Sequence, residues 1–219
     1  MLILVLDAST PVIAVALAEQ DKIVTEISVP ARGASEALLP AIHAALNLAG
    51  EELASVERLL VGVGPGTFTG IRIAAATARA LSLGTGAILS KNSTLAALAA
   101  PALSCHTHVL AVLDARRRQV FAQRFSGVDP TTEILCVKPE DLSAEGAPLV
   151  VGDGAMRYRD ALSPLGPIPP DDSPLHRVTA TGHVLSADLT PVSAEELVPI
   201  YVREPDAEVR RGLNPWARP

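Results

Sequence analysis

The chain has 219 residues, 48% of them hydrophobic, which gives room for one large domain or two lobes of about 100 residues each and excludes wholesale disorder. Its net charge of −6 excludes a chain that grips nucleic acid alone, because phosphate contacts need a basic face. Two cysteines, Cys105 and Cys136, are too few for a disulfide framework, and no apolar run is long enough to span a membrane, so a soluble cytoplasmic protein is expected.

The first residues, MLILVLDAST, lack a basic start and a small-residue cleavage site and read as a buried strand ending in Asp7. Ser9-Thr10-Pro11 turns the chain into a second strand, VIAVALAE, and KIVTEISV alternates apolar and polar residues at period two as a third. A helix is predicted over Leu38 to Leu48, ended by Gly50, with Pro40 tolerable only in its first turn. It is apolar on almost every face, so it must be covered on two sides, by its own sheet and by a second helix or a partner. RLLVGVG is the next buried strand. Thr69 can cap a helix that runs to Leu83, with Gly84 as its C-cap and Arg72 and Arg79 on one face, and Asn92 or Ser93 caps a shorter helix, TLAALAA. Aromatic residues make up only 3%, so the core is built from Ala, Leu and Val, with helices packed closely.

The second half echoes the first. VLAVLDARRRQVFAQRF repeats the strand, Asp, turn, strand order of LILVLDASTPVIAVAL, placing Asp114 opposite Asp7, and LVVGDGA repeats LLVGVGP. Two echoes in the same order indicate a duplicated lobe. The predicted fold is therefore α/β and two-lobed, of the actin-like (ASKHA) class built on a duplicated ribonuclease H-like unit. An N-terminal lobe is expected over 1–104, and a reduced, Pro-rich C-terminal lobe over 105–219.

Three features resemble sites. Asp7 with Ser9 and Thr10 can hold a hydrated cation and a phosphate, or can simply close its hairpin as an Asx turn. The stretch Gly62 to Gly70, with Gly64, Gly66 and Thr67 at its centre, empties into a helix N-terminus that favours anions, but a structural strand-to-helix turn fits the spacing equally. It lacks the Lys-Ser/Thr pair of a Walker loop. Asp114 precedes Arg116, Arg117 and Arg118, and a structural Asp–Arg pair is the reading preferred over a metal site. Cys105-His106-Thr107-His108 lacks a fourth ligand for zinc, so no metal is expected. Arg203, Arg210, Arg211 and Arg218, near the C-terminus, read as a solvated tail.

The stretch GVGPGTFTGIRIAAATARALSLG resembles the signature of the TsaB (YeaZ) family, and ILVLDAST, SEALLPAI, VLDARRRQVFA and VPIYVREPDAE match that family in order along the whole chain. The resemblance implies a non-catalytic subunit without cofactor, required with the larger paralogue TsaD and the ATPase TsaE to place threonylcarbamoyl on adenosine 37 of tRNAs that read ANN codons. It implies tRNA contact only within that complex and a homodimer in isolation. It further implies that the first two helices form the partner face, to which Leu38, Ile42, Ala45, Leu46, Arg72, Ala75, Arg79 and Leu83 are assigned. Asp7, Ser9, Thr10, Gly64, Gly66, Thr67 and Asp114 are assigned to a residual nucleotide-type cleft. His43, followed by Asn47 rather than a second His, lacks the paired-histidine metal motif of the catalytic paralogues, and Ala34 stands where family members often carry a His. The rival reading is a stand-alone ATPase or phosphotransferase of the same superfamily.

Overall fold

The computed structural model describes residues 1–30 and 33–202. The four C-terminal arginines and the REPDAE end of the last family match lie outside the described residues. The first lobe opens with β1 (Leu2–Asp7), β2 (Val12–Glu19) and β3 (Lys22–Pro30), an antiparallel meander. Parallel strands β4 (Arg58–Gly62) and β5 (Ile88–Asn92) extend it on the other side of β1, giving the order β3-β2-β1-β4-β5. The second lobe repeats the plan. Its β6 (His108–Arg116) pairs antiparallel with β7 (Gln119–Ser126) and parallel with β10 (Leu149–Val151), while the short β8 (Asp129–Pro130) and β9 (Leu135–Val137) both pair with β7.

Period-two alternation explains the layering. Along β1, Leu2, Leu4 and Leu6 face α1 (Ala34–Ala49) and α2 (Phe68–Thr85), while Ile3 and Val5 face the opposite side. Along β6, Val109, Ala111 and Leu113 pack on α3 (Thr94–Leu103), while Leu110 and Val112 face α4 (Asp153–Arg157) and α5 (Arg159–Leu162). The far side of the first sheet is covered by Ala180 and Val184 of α6 (Ala180–Leu185), which also packs against α3. The order is thus helices, sheet, α3 with α6, sheet, helices, and both sheets are buried on both faces, which is why β1 and β6 read as continuous apolar runs.

Segments cross between the halves. The helix α3 follows β5 in sequence but lies against the second sheet, and residues 189–202 return to the first lobe as a strap. Val192 bridges to Leu89, Leu197 is fully buried in the first-lobe core, and the Ile200 N–H donates to the Val63 carbonyl at 2.8 Å.

Three helix expectations are corrected. Pro40 lies inside α1, past its first turn, because the helix starts at Ala34 rather than Leu38. Thr67, not Thr69, is the N-cap of α2. The helix α2 then runs through Gly84 and stops at Gly86, which takes the left-handed conformation with φ 78° and donates its N–H to the Ser82 carbonyl. Ser93 caps α3 as predicted, accepting from the Ala96 N–H at 3.4 Å. Among the described residues no helix is long and apolar enough to cross a membrane, and no group of three or more His, Cys, Asp or Glu is placed to hold a metal ion. The Pro-rich segment before α6 is tied down by His176, whose ring contacts the Gly152 backbone at 3.1 Å and the Pro169 carbonyl at 3.2 Å, and by Arg159, which donates to the carbonyls of Ile168 and Pro169.

Candidate functional site: the interlobe cleft and the outer helices

The β1–β2 turn sits against the glycine stretch. A Cβ on Gly66 would lie 2.2 Å from the Ser9 carbonyl oxygen, and one on Gly70 only 1.8 Å from that of Ala8. Neither position can hold a side chain, so these glycines exist because two backbones meet. The Thr67 N–H, the first amide that a helix-end anion would use, donates to the Ser9 carbonyl at 2.6 Å. The stretch thus seats the head of α2 on the β1–β2 turn.

Asp7 is 1% exposed and does not line the cleft. Its Oδ1 accepts the Ser9 N–H at 2.5 Å, and its Oδ2 accepts from Thr94 Oγ1 at 3.1 Å and from His183 Nε2 at 2.7 Å. The Asp7 carboxylate can only accept, so His183 Nε2 carries the proton of this last bond, and Asn92 Nδ2 lies 3.3 Å from the other ring nitrogen, Nδ1. Burial pushes the Asp7 carboxyl up, but the hydrogen bond and electrostatic attraction of His183, followed by Ser9, outweigh it and hold the group below the usual carboxylate value. No sequence signal pointed to His183, which is 176 residues from Asp7 along the chain.

The cleft between the lobes is lined by Ser9, Thr10, Pro11, Gly66, Thr67, Leu113, Asp114, Arg116 and Asp153. Of the seven residues assigned to it, five are therefore present, while Asp7 is sealed beneath it and Gly64 packs against Ile200 and Ile71. Asp114 is held structurally: Oδ1 accepts the Arg116 N–H at 2.9 Å, and Oδ2 meets Arg116 Nη1 at 3.1 Å and Arg157 Nε at 3.6 Å. Its own N–H donates to Asp153 Oδ1 at 2.9 Å, and burial raises the Asp153 carboxyl above its ordinary value despite that bond. Arg116, Arg117 and Arg118 all take positive φ in the β6–β7 turn. Arg157 and Thr94 carried no motif that marked them in advance, and Asp153 lay unmarked within the LVVGDGA repeat.

On the outer helices the expected partner face is corrected. Leu38, Ile42, Ala45, Leu46 and Ala75 are each 7% exposed or less, because the most apolar stripe of each helix is the one its own sheet takes. Arg72 and Arg79 are exposed but face inward to the strap. Arg72 stacks on Phe68 with its Cζ 3.6 Å from the ring centroid and donates to Tyr201 Oη at 2.7 Å, and Arg79 donates to the Leu197 carbonyl at 2.8 Å. Leu83 is 91% exposed, in line with Ala76 and Ala80 on α2, and Leu39, His43 and Leu48 are exposed on α1. His43 contacts only Asn47, at 3.2 Å, among the described polar contacts.

A duplicated sheet, a strand with an Asp at or near its end opening each half and a cleft between the two hairpin turns define a two-lobed α/β protein of the actin-like class. A family model described as TsaD, tRNA N6-adenosine threonylcarbamoyltransferase, matches residues 20–145, more than half of the chain. An uncharacterised protein of Mycobacterium tuberculosis is 30% identical over 209 residues, covering 94% of this chain and 93% of that protein. The tRNA threonylcarbamoyladenosine biosynthesis protein TsaB of Escherichia coli is 33% identical over 123 residues, 55% of this chain and 53% of that protein. Among solved structures, YeaZ from Pseudomonas aeruginosa superposes with a TM-score of 0.79 at 26% identity, over 92% of this chain and 99% of that one. The chain belongs to the TsaB (YeaZ) family.

Proposed function

We propose that this chain is an accessory, non-catalytic subunit of the apparatus that makes threonylcarbamoyladenosine in tRNA, working with a TsaD-type transferase and the ATPase TsaE. The relatives named for that biosynthesis support the pathway. The observation that carries the role is the apolar side chains left exposed on two adjacent helices, Leu39 at 55% and Leu48 at 73% on the two flanks of α1 and Leu83 at 91% on α2. A paired-helix surface of this kind suits a second helix pair, from TsaD in the complex or from another copy of this chain in isolation. The cleft supports the non-catalytic half of the reading, since its first-lobe carboxylate is sealed and its second is ion-paired. Contact with tRNA belongs to the complex, in keeping with a net charge of −6, which argues against this chain gripping nucleic acid alone.

Replacing Leu39 and Leu83 together by Glu is expected to abolish co-purification with TsaD and to lower modified tRNA in a cell that depends on this chain, while leaving the melting temperature nearly unchanged. Undiminished co-purification would overturn the assignment. The rival ATPase reading draws on the hydroxyls of Ser9, Thr10 and Thr67 in the cleft. It requires magnesium-dependent binding of ATP by the isolated chain, which calorimetry reads directly.

A further inference from the structure

In this fold class a carboxylate at the end of the first strand can hold a hydrated cation beside hydroxyls and open amides. The residues here do not fit such a group. Both oxygens of Asp7 accept from donors of the chain itself, Oδ1 from the Ser9 N–H and Oδ2 from Thr94 and His183. His183 is 0% exposed, and its second ring nitrogen is held by Asn92. A hard cation needs six or more oxygen ligands, and here an imidazole nitrogen stands 2.7 Å from Asp7 Oδ2, among side chains that are 1% exposed or less.

We propose that His183 is a built-in replacement for the cation, a latch that α6 inserts beside Asp7 to fix the two sheets at one angle. The position of α6 gives the latch its reach. Its Ala180 and Val184 pack on Ile3 and Val5 of the first sheet, and α6 also packs on α3. The helix α3 carries Thr94 at one end and lies on β6 of the second sheet. One carboxylate therefore receives a donor from each helix of the middle layer. A diffusible cation could leave and let the lobes open, whereas an imidazole on a packed helix stays. The lobe angle is then set by the chain itself, whichever partner docks on the outer helices.

Two measurements test the latch. Manganese titrated to millimolar concentration is expected to broaden the amide resonances of Ser9 and Thr94 no more in the wild-type protein than in Asp7→Asn; broadening there that is lost in Asp7→Asn but kept in Asp114→Asn would make Asp7 a metal ligand and overturn the proposal. Hydrogen exchange of the α6 amides is expected to quicken in His183→Ala on the order of tenfold to a hundredfold, the loss of one buried bond to a charged acceptor. In His183→Gln, whose amide nitrogen can donate to Asp7 in place of Nε2, exchange should stay near wild type. Unchanged α6 exchange in His183→Ala would show that the imidazole latches nothing.

Discussion

Gly70 shows how little freedom the signature stretch has. Its Cα faces the Ala8 carbonyl so closely that an added methyl would lie 1.8 Å from the oxygen, and both atoms belong to backbone that cannot step aside. Gly70→Ala is expected to destabilise the protein by ~2 kcal/mol or more, read as a shift in the urea midpoint at unchanged slope. Asp7 acts on the same turn through charge. Its folded-state value lies below that of the unfolded chain, so its contribution is fully present above the unfolded value, near pH 4, and is lost as the pH falls through the lower, folded value. Asp7→Asn places an amide where three donors converge, which costs about 3 kcal/mol at neutral pH by the behaviour of broken buried pairs. The same variant should flatten the acid limb of stability below about pH 4, an effect visible in melting temperatures taken across that range.

Among the elements, α1 departs furthest from its local propensity. Pro40 has no N–H to give the Glu36 carbonyl, yet the helix passes through it, since Leu38, Ala41, Ile42, Ala45 and Leu46 bury a continuous stripe on the first sheet. Tertiary burial outweighs the local penalty. Pro40→Ala should therefore stabilise the protein by about 1 kcal/mol, less than the full helix penalty because proline also restricts the unfolded chain. Thermal unfolding reads this directly, and a loss of stability would mean that the proline ring packs against something essential. In α2 the small residues Ala74, Ala75 and Ala78 let the helix lie close to β4, and this same closeness makes them unavailable to a partner.

For the whole molecule, the strap over residues 189–202 makes the halves interdependent. Leu197 comes from the last described stretch of chain but is 0% exposed in the first-lobe core, with Arg79 holding its carbonyl and Arg58 that of Leu189. Leu197→Ala is expected to cost about 3 kcal/mol. Because the strap and the α3–α6 layer bind both sheets, calorimetry should still show one transition whose van't Hoff and calorimetric enthalpies agree. Two separated transitions would mean that the lobes fold independently.

The amino-acid order by itself determined β1 to β4, β6, β7, β10 and the duplication, because alternation, an Asp at a strand end and glycine punctuation are local signals that survive without a fold, but it left β5, β8 and β9 unmarked. It also determined the family, since an eleven-residue stretch, Gly62 to Arg72, constrained by backbone contact tolerates few alternatives. The tertiary structure alone decided which apolar stripe of α1 and α2 faces the sheet, because both sides of those helices carry leucine and alanine and hydrophobicity cannot choose between them. It alone brought His183 to Asp7, a contact across 176 residues that leaves no trace in any local pattern. Asp7 and Asp114 looked like equivalent ligands along the chain, but their chemistry depends on what surrounds them. One carboxylate is buried and fed by an imidazole, the other is ion-paired by arginine at the cleft, and that difference arises only once the two sheets close on their shared layer of helices.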